Sequence, residues 1–192
     1  HNVFGEPAEK RAAWADGLNL PKTGETVYFA GCYASYRNSK IAKATVAVLK
    51  AGGINVAYLG ENEWCCGVPQ LADGNVTLAE EMVQHNVEAL KAAGVKRVIT
   101  SCAGCFHALK SDYADIIGQL PFEVVHSSEV IAELIKNDKI KLDTEIVKTV
   151  TYHDPCHLGR HEKVYDAPRD TLKAIKGITF VEMPRNKGNA WC

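Results

Sequence analysis

The stretch Thr26-Val-Tyr-Phe-Ala-Gly-Cys32 decides the fold of this chain. Its β-prone residues predict a short strand that ends at a glycine and a cysteine. A helical pattern of apolar residues follows and stops at Gly52-Gly53, and residues 54–59 then predict a second strand. Strand, cysteine, helix and strand in this order indicate the beginning of a parallel βαβ arrangement.

Strand and helix patterns continue to alternate along the rest of the sequence. Further strands are predicted at residues 95–100, 122–125, 147–152 and 179–183. Helices are predicted at residues 76–90, from about Cys105 to Gly118, and in a segment that Ser127 or Ser128 caps. A short helix is also expected in the lead-in, between Pro7 and Gly17. The fold class is therefore α/β, with parallel, Rossmann-like βαβ units.

The cysteines follow the predicted strands. Cys32, Cys102 and Cys156 each stand at a strand end, and the pair Cys65-Cys66 follows another strand after a short loop. The carboxyl ends of parallel strands lie on one edge of a sheet, where ligand sites gather. Cysteines that are distant in the sequence are therefore expected to meet at that edge.

The cysteine pattern also indicates an internal repeat. Strand, cysteine, helix, strand and Trp-Cys occur in this order at residues 26–65 and again at 147–192. This pattern predicts a lead-in at residues 1–22, a first lobe at 23–146 and the start of a second lobe at 147–192. The second copy has no C-x-x-C, so we expect this lobe to be truncated.

The first set of cysteines has the composition of a metal centre. Its members are Cys32, Cys65, Cys66, Cys102 and Cys105. Soft thiolates bind zinc, copper(I) and iron–sulfur clusters. Adjacent side chains diverge and fit poorly around one zinc ion, whereas a larger cluster accepts a thiolate at each of several irons. The pattern favours an iron–sulfur site, and a structural zinc or a reactive dithiol stays open as an alternative.

Composition excludes several other classes of protein. The 192 residues carry a net charge of -1 and 46% hydrophobic residues, with no basic block of the kind that binds nucleic acid. No apolar run reaches the roughly 18 residues that span a bilayer. The first residues lack the apolar core of a secretion signal. We therefore expect a cytoplasmic protein with reduced thiols.

Two histidines are candidate catalytic residues. His153 and His157 flank Cys156, where imidazoles could donate protons or tune a redox centre. Hydrogen bonding to the strand end and to the Asp154 loop is the structural alternative. Arg169 could attract an anionic substrate, although a solvated surface position is the simpler expectation.

These residues resemble a known family, the cysteine-rich "CCG" domain. The resemblance rests on the single cysteine, the Cys65-Cys66-Gly67 motif and the C-x-x-C, and on YHDPCHLGRHEKVYDAPRDTLKAI (152–175) and MPRNKGNAWC (183–192). This domain occurs in the B- and D-type catalytic subunits of heterodisulfide reductase and in the iron–sulfur subunits of glycolate, lactate and glycerol-3-phosphate oxidising enzymes. The D-type branch is the most similar.

The resemblance implies two similar α/β lobes, each with one CCG motif that can hold a noncubane [4Fe-4S] cluster. The complete first ligand set would be Cys32, Cys65, Cys66, Cys102 and Cys105, and Cys156 and Cys192 would begin the second. The resemblance also implies a small thiol/disulfide substrate, a ferredoxin-type iron–sulfur domain or subunit as electron donor, and a membrane cytochrome b subunit that could bring the protein to a membrane.

Three functions follow from these expectations. The first is a heterodisulfide-reductase-like catalytic iron–sulfur domain, which we expect to be inactive as this fragment alone. The second is an electron-relay subunit of a flavin-dependent dehydrogenase, and the third is a structural zinc module. Protein prepared in air is expected to be empty, zinc-filled or disulfide-bonded.

Overall fold

The computed structural model describes residues 2–191 and has an α/β architecture, as predicted. Its strands are β1 (Thr26–Phe29), β2 (Arg97–Thr100), β3 (Glu123–His126), β4 (Lys148–Val150) and β5 (Ile178–Phe180). Its α-helices are α1 (Gly31–Tyr36), α2 (Ser39–Ala51), α3 (Val68–Ala72), α4 (Val76–Ala92), α5 (Ala103–His107), α6 (Tyr113–Ile117), α7 (Ser127–Lys136) and α8 (Asp166–Ala174).

Strands β1, β2 and β3 form a parallel sheet in that order. In register, Val27 pairs with Val98, and Val98 pairs with Val124. The predicted strand at 54–59 is only partly formed: its Ala57 makes an isolated parallel bridge to Val27. The backbone N–H groups on either side bond elsewhere, that of Ile54 to α2 and that of Tyr58 to the carbonyl of Pro21, so the ladder is interrupted.

A second parallel sheet contains β4 and β5, with Thr149 opposite Thr179. Helix α8 connects these two strands, so this part of the chain is a βαβ unit. It packs against the helices that cover the first sheet: α8 contacts α7, and the π-helical segment Cys156–His161 contacts α5.

The core lies on both faces of the first sheet because alternate strand residues point to opposite sides. Val27 and Phe29 of β1 face the side covered by α4 and α5. Tyr28 faces the other side, which α2, α7 and Trp14 of the lead-in cover. Burial of each large apolar side chain contributes about 1.5–3 kcal/mol, so both faces stabilise the sheet.

Two local predictions were wrong in detail. The cap of α7 is His126 rather than Ser127 or Ser128, since its side chain accepts a hydrogen bond from the Ser128 N–H. The Glu129 carboxylate accepts a hydrogen bond from the His126 N–H and completes a capping box. In the lead-in, two 3₁₀ helices, Ala8–Arg11 and Ala13–Ala15, replace the expected single helix.

The predicted helix from Cys105 to Gly118 is present as a continuous helical run. Helix α5 leads into the π-helical segment Ala108–Asp112 and then into α6. Gly118 ends the run with a φ of 81°, a backbone angle that glycine adopts without a steric penalty. Within residues 2–191, no helix is both long and apolar enough to cross a membrane.

Candidate metal centre

Five cysteines from separate parts of the chain line one cavity. Cys32 lies in the first turn of α1, and Cys65 and Cys66 lie in the loop before α3. Cys102 caps α5, and Cys105 lies inside that helix. The cavity has a volume of about 170 Å³, and its other lining residues are mainly apolar. Thus the strand ends bring the thiols together at one edge of the sheet.

The backbone at Gly31 keeps this cavity open. Gly31 has a φ of +73°, in the left-handed region that favours glycine. A Cβ atom built there would lie 2.8 Å from the Sγ atom of Cys105. The side chain of any other residue would therefore intrude among the thiols, so the thiol cavity requires a glycine before Cys32.

The thiols divide into two electrostatic classes. The pKa of Cys102 is lowered to about 6, first by its hydrogen bond with the Cys105 thiol and further by backbone N–H groups at the start of α5. Hydrogen bonds with Cys105 and Cys65 lower the pKa of Cys66, against the effect of burial. The pKa of Cys32 is raised by its hydrogen bond with Cys65 and by burial. The site therefore favours thiolates at Cys66 and Cys102, the form that binds metals.

The cavity suits a group larger than a single ion. Among residues 2–191, no three or more histidine, cysteine, aspartate or glutamate side chains converge closely enough to hold a metal ion as they stand. All five thiols nevertheless line the same cavity. Five soft donors around one cavity match the ligand needs of an iron–sulfur cluster, in which each iron takes its own thiolate.

A family model for the cysteine-rich domain CCG matches residues 26–110 and 150–192, which include all seven cysteines of the sequence. This chain belongs to the CCG cysteine-rich domain family. The resemblance seen in the sequence is thereby confirmed.

Several relatives of this CCG domain are named as oxidoreductases or subunits of them. The chain is 48% identical over 192 residues to the D-type subunit of the dihydromethanophenazine:CoB–CoM heterodisulfide reductase of Methanosarcina mazei, a match that covers 97% of this chain and 47% of that protein. It is 35% identical to EtfAB:quinone oxidoreductase of Syntrophomonas wolfei, with 100% of this chain and 28% of that protein covered. The probable iron-sulfur-binding oxidoreductase FadF of Bacillus subtilis is also 35% identical, with 100% and 29% covered. The CCG domain spans less than half the length of each.

Two polar residues that the sequence reasoning did not identify support the loop that carries Cys65 and Cys66. The first is Glu63, which is fully buried and accepts hydrogen bonds from the N–H groups of Ala30 and Gly31, each 2.9 Å long. Its partner is Arg11 of the lead-in, at 2.8 Å. Burial raises the pKa of Glu63 to about 7, although Arg11 acts in the opposite direction. No sequence motif marks this pair, whose members are far apart in the chain.

The second support is Asn86, a fully buried residue of α4. Its Oδ1 atom accepts a hydrogen bond from the Trp64 N–H, and its Nδ2 atom donates to the Cys65 carbonyl, both at 2.9 Å. Nδ2 also donates to the Tyr113 hydroxyl. Asn86 therefore ties the loop that carries Cys65 and Cys66 to α4 and α6.

The two candidate catalytic histidines lie in different places. His157 lies next to Gly104 of α5, which is one of the residues that line the thiol cavity. A Cβ atom built at Gly104 would be 3.8 Å from the Nδ1 atom of His157. Its ring stacks on that of His107, with the centroids 5.2 Å apart. His153 instead lines a separate cavity of about 420 Å³ with residues that include Trp191. The structure thus brings His157, and not His153, close to the five-cysteine set.

The remaining predicted positions come later in the sequence. Cys156 is half-buried at the start of the π-helical segment and is not among the residues that line the thiol cavity. Cys192 lies outside the described residues. Arg169 is only 3% exposed and pairs with Asp154 and Glu182, so the expected solvated position was wrong.

Proposed function

We propose that this CCG domain is the catalytic iron–sulfur domain of a heterodisulfide-reductase-like oxidoreductase that acts on a small thiol/disulfide couple. The observation that carries this proposal is the cavity lined by all five cysteines of the first set. A noncubane [4Fe-4S] cluster would be held in this cavity by the thiolates of Cys32, Cys65, Cys66, Cys102 and Cys105. Such a cluster, when bound, supplies single electrons to a substrate sulfur.

The protein's own side chains would bind the substrate and limit access of water. Val3 and Phe4 of the lead-in and Val68 and Pro69 of α3 form an apolar wall beside the thiols. Tyr33, which is 56% exposed, stands at the rim. An apolar wall around soft sulfur atoms suits a thiol or disulfide better than a strongly hydrated anion. Of the two proposed proton donors, His157 is the better placed because it lies beside Gly104 at the cavity wall.

The complete enzyme would contain more than this domain. Cys156 and Cys192 would begin the ligand set of a second lobe. A ferredoxin-type iron–sulfur domain or subunit would deliver electrons, and a membrane cytochrome b subunit could hold an otherwise cytoplasmic protein at a membrane. The similarity to the D-type subunit of heterodisulfide reductase supports this assignment.

A second candidate function is electron relay without substrate binding at the thiol cavity. The 35% identity to a protein named EtfAB:quinone oxidoreductase favours this alternative. In a relay, the five cysteines would hold a centre that only passes electrons toward a quinone. The first candidate predicts that a thiol perturbs the centre, whereas the relay does not.

Anaerobic purification of the complete polypeptide that carries this domain, followed by EPR spectroscopy and metal analysis, tests the proposal. We expect iron and sulfide in the protein, and an EPR signal that changes when the thiol coenzyme M is added. Cys66→Ser should abolish the signal of the first lobe, and Cys156→Ser should leave it intact. Zinc without iron would contradict the proposal, and a signal that ignores the thiol would favour the relay.

A further inference from the structure

The lead-in supplies a buried cation to the thiol cavity. Arg11 is only 2% exposed, although it belongs to a short 3₁₀ helix in the lead-in. Its Nη2 atom donates a hydrogen bond to the Sγ atom of Cys32 over 3.3 Å. Its Nη1 atom lies 2.8 Å from Oε1 of Glu63. One guanidinium therefore bridges a proposed ligand sulfur and a buried carboxylate.

Several contacts hold this guanidinium in place. Glu63 is fixed by the N–H groups of Ala30 and Gly31, which directly precede Cys32. The backbone carbonyl of Arg11 accepts a 3.0 Å hydrogen bond from the Tyr58 hydroxyl. The geometry of the charges beside Cys32 is therefore set by the fold and does not depend on a mobile surface side chain.

We propose that Arg11 and Glu63 tune the reduction potential of the iron–sulfur group, with Arg11 raising the potential and Glu63 lowering it. The inference rests on the proposed function, because it assigns Cys32 as a ligand of that group. Hydrogen bonds to ligand sulfurs and nearby charges are among the factors that set such potentials. Reduction adds negative charge, which a buried guanidinium stabilises and a buried carboxylate destabilises.

The alternative is that the ion pair only anchors the lead-in. Both roles predict that loss of either side chain weakens the fold, since it leaves a buried charge without its partner. The two roles differ in what they predict for the reduction potential. Anchoring gives no reason for the two variants to shift the potential in opposite directions, whereas electrostatic tuning requires it.

EPR-monitored redox titration of the complete anaerobic protein, with dithionite as the reductant, tests the proposal. We expect the midpoint potential of the first-lobe signal to become more negative in Arg11→Met and more positive in Glu63→Gln. Lys10→Met is the matched control, because Lys10 is 65% exposed and pairs with Glu6 at the surface. This control should leave the potential unchanged.

Arg11→Lys provides the decisive comparison if Arg11→Met does not fold. It keeps the charge but loses the planar fork that reaches both partners, so a smaller negative shift is expected. Shifts of the same sign in the arginine and glutamate variants, or no shift in either, would overturn the inference while the proposed function stands. A wild-type protein that binds no iron–sulfur cluster would overturn both.

Discussion

The carboxylate of Asp154 accepts two parallel hydrogen bonds from the guanidinium of Arg169, each 2.7 Å long. Both side chains are buried, with 1% and 3% of their surfaces exposed. Asp154 also accepts a hydrogen bond from the Lys187 N–H, and Arg169 contacts Glu182. This network joins the loop before Cys156 to α8 and to the segment after β5, and therefore organises the βαβ unit of β4, α8 and β5.

Asp154→Asn should lower the free energy of unfolding by about 3 kcal/mol. The substitution leaves the buried Arg169 without its main counter-ion, and loss of one member of a buried pair costs this order of energy. The remaining contact with Glu182 keeps the cost at the lower end of the expected range. Urea unfolding of the wild type and the variant, followed by circular dichroism, measures the difference.

Asp166→Asn is the matched control for this substitution. Asp166 pairs with Lys187 at 2.9 Å, but the two side chains are 74% and 46% exposed. Exposed pairs contribute roughly 0–1 kcal/mol, so the control should be nearly as stable as the wild type. Equal destabilisation by the two substitutions would show that burial of the Asp154 pair is not what matters.

Gly31→Ala should reduce iron retention more than Gly53→Ala does. Both glycines have a positive φ, +73° and +80°, so each substitution carries a similar backbone strain of about 1–2 kcal/mol. Only at Gly31 would the new Cβ meet the thiol of Cys105, whereas the space around Gly53 is open. Iron per polypeptide, measured after anaerobic gel filtration, distinguishes them. A similar iron loss in both variants would contradict the role of Gly31 in keeping the thiol cavity open.

The sequence predicted the features that depend on local pattern. The β-prone run at residues 26–30 formed β1, and the helical pattern that starts at Val76 formed α4. The meeting of Cys32 and Cys102 at one cavity was predictable as well, because the ends of parallel strands share an edge.

The supporting polar contacts could not be predicted, because they depend on tertiary packing. Arg11 and Glu63 meet across 52 positions of the sequence, and nothing in the 3₁₀ helix of the lead-in indicates that its arginine is buried. His126, and not a serine, caps α7, and its ring also makes an edge-to-face contact with Phe106, with centroids 5.6 Å apart. Local preference favoured serine, and the environment at the end of β3 decided otherwise.

Asn86→Ala should destabilise the protein by about 3 kcal/mol and loosen the loop of Cys65 and Cys66. The substitution removes three hydrogen bonds, two of them buried and one part-buried, and leaves the Trp64 N–H and the Cys65 carbonyl without this partner. Thermal unfolding reports the stability. Hydrogen exchange at residues 64–66 reports the loop and should become faster.

Tyr113→Phe separates the two roles of Asn86. It removes only the hydroxyl that Asn86 contacts and leaves the bonds to the loop in place. We expect a cost of about 1 kcal/mol without faster exchange at residues 64–66. If this variant loosens the loop as much as Asn86→Ala does, the loop bonds are not the cause.

Acid should destabilise the protein through His126. Burial lowers the pKa of His126 from 6.5 to about 4, outweighing the opposite effect of the Ser101 backbone. Between these two pH values the unfolded chain binds a proton that the folded chain excludes. The contribution of neutral His126 to stability is therefore complete above its ordinary pKa and is lost as the pH falls. We expect a loss of about 2 kcal/mol between pH 7 and pH 5 from this group.

His126→Asn isolates this effect, because asparagine also caps helices but does not titrate. The variant loses the ring contact with Phe106 and should be less stable than the wild type at pH 7. Its unfolding free energy should nevertheless fall less steeply between pH 7 and pH 5, by the roughly 2 kcal/mol assigned to His126. The other histidines and the carboxylates are common to both proteins, so their contributions cancel in the comparison. Parallel pH profiles of wild type and variant from urea unfolding would show that another group causes the acid sensitivity.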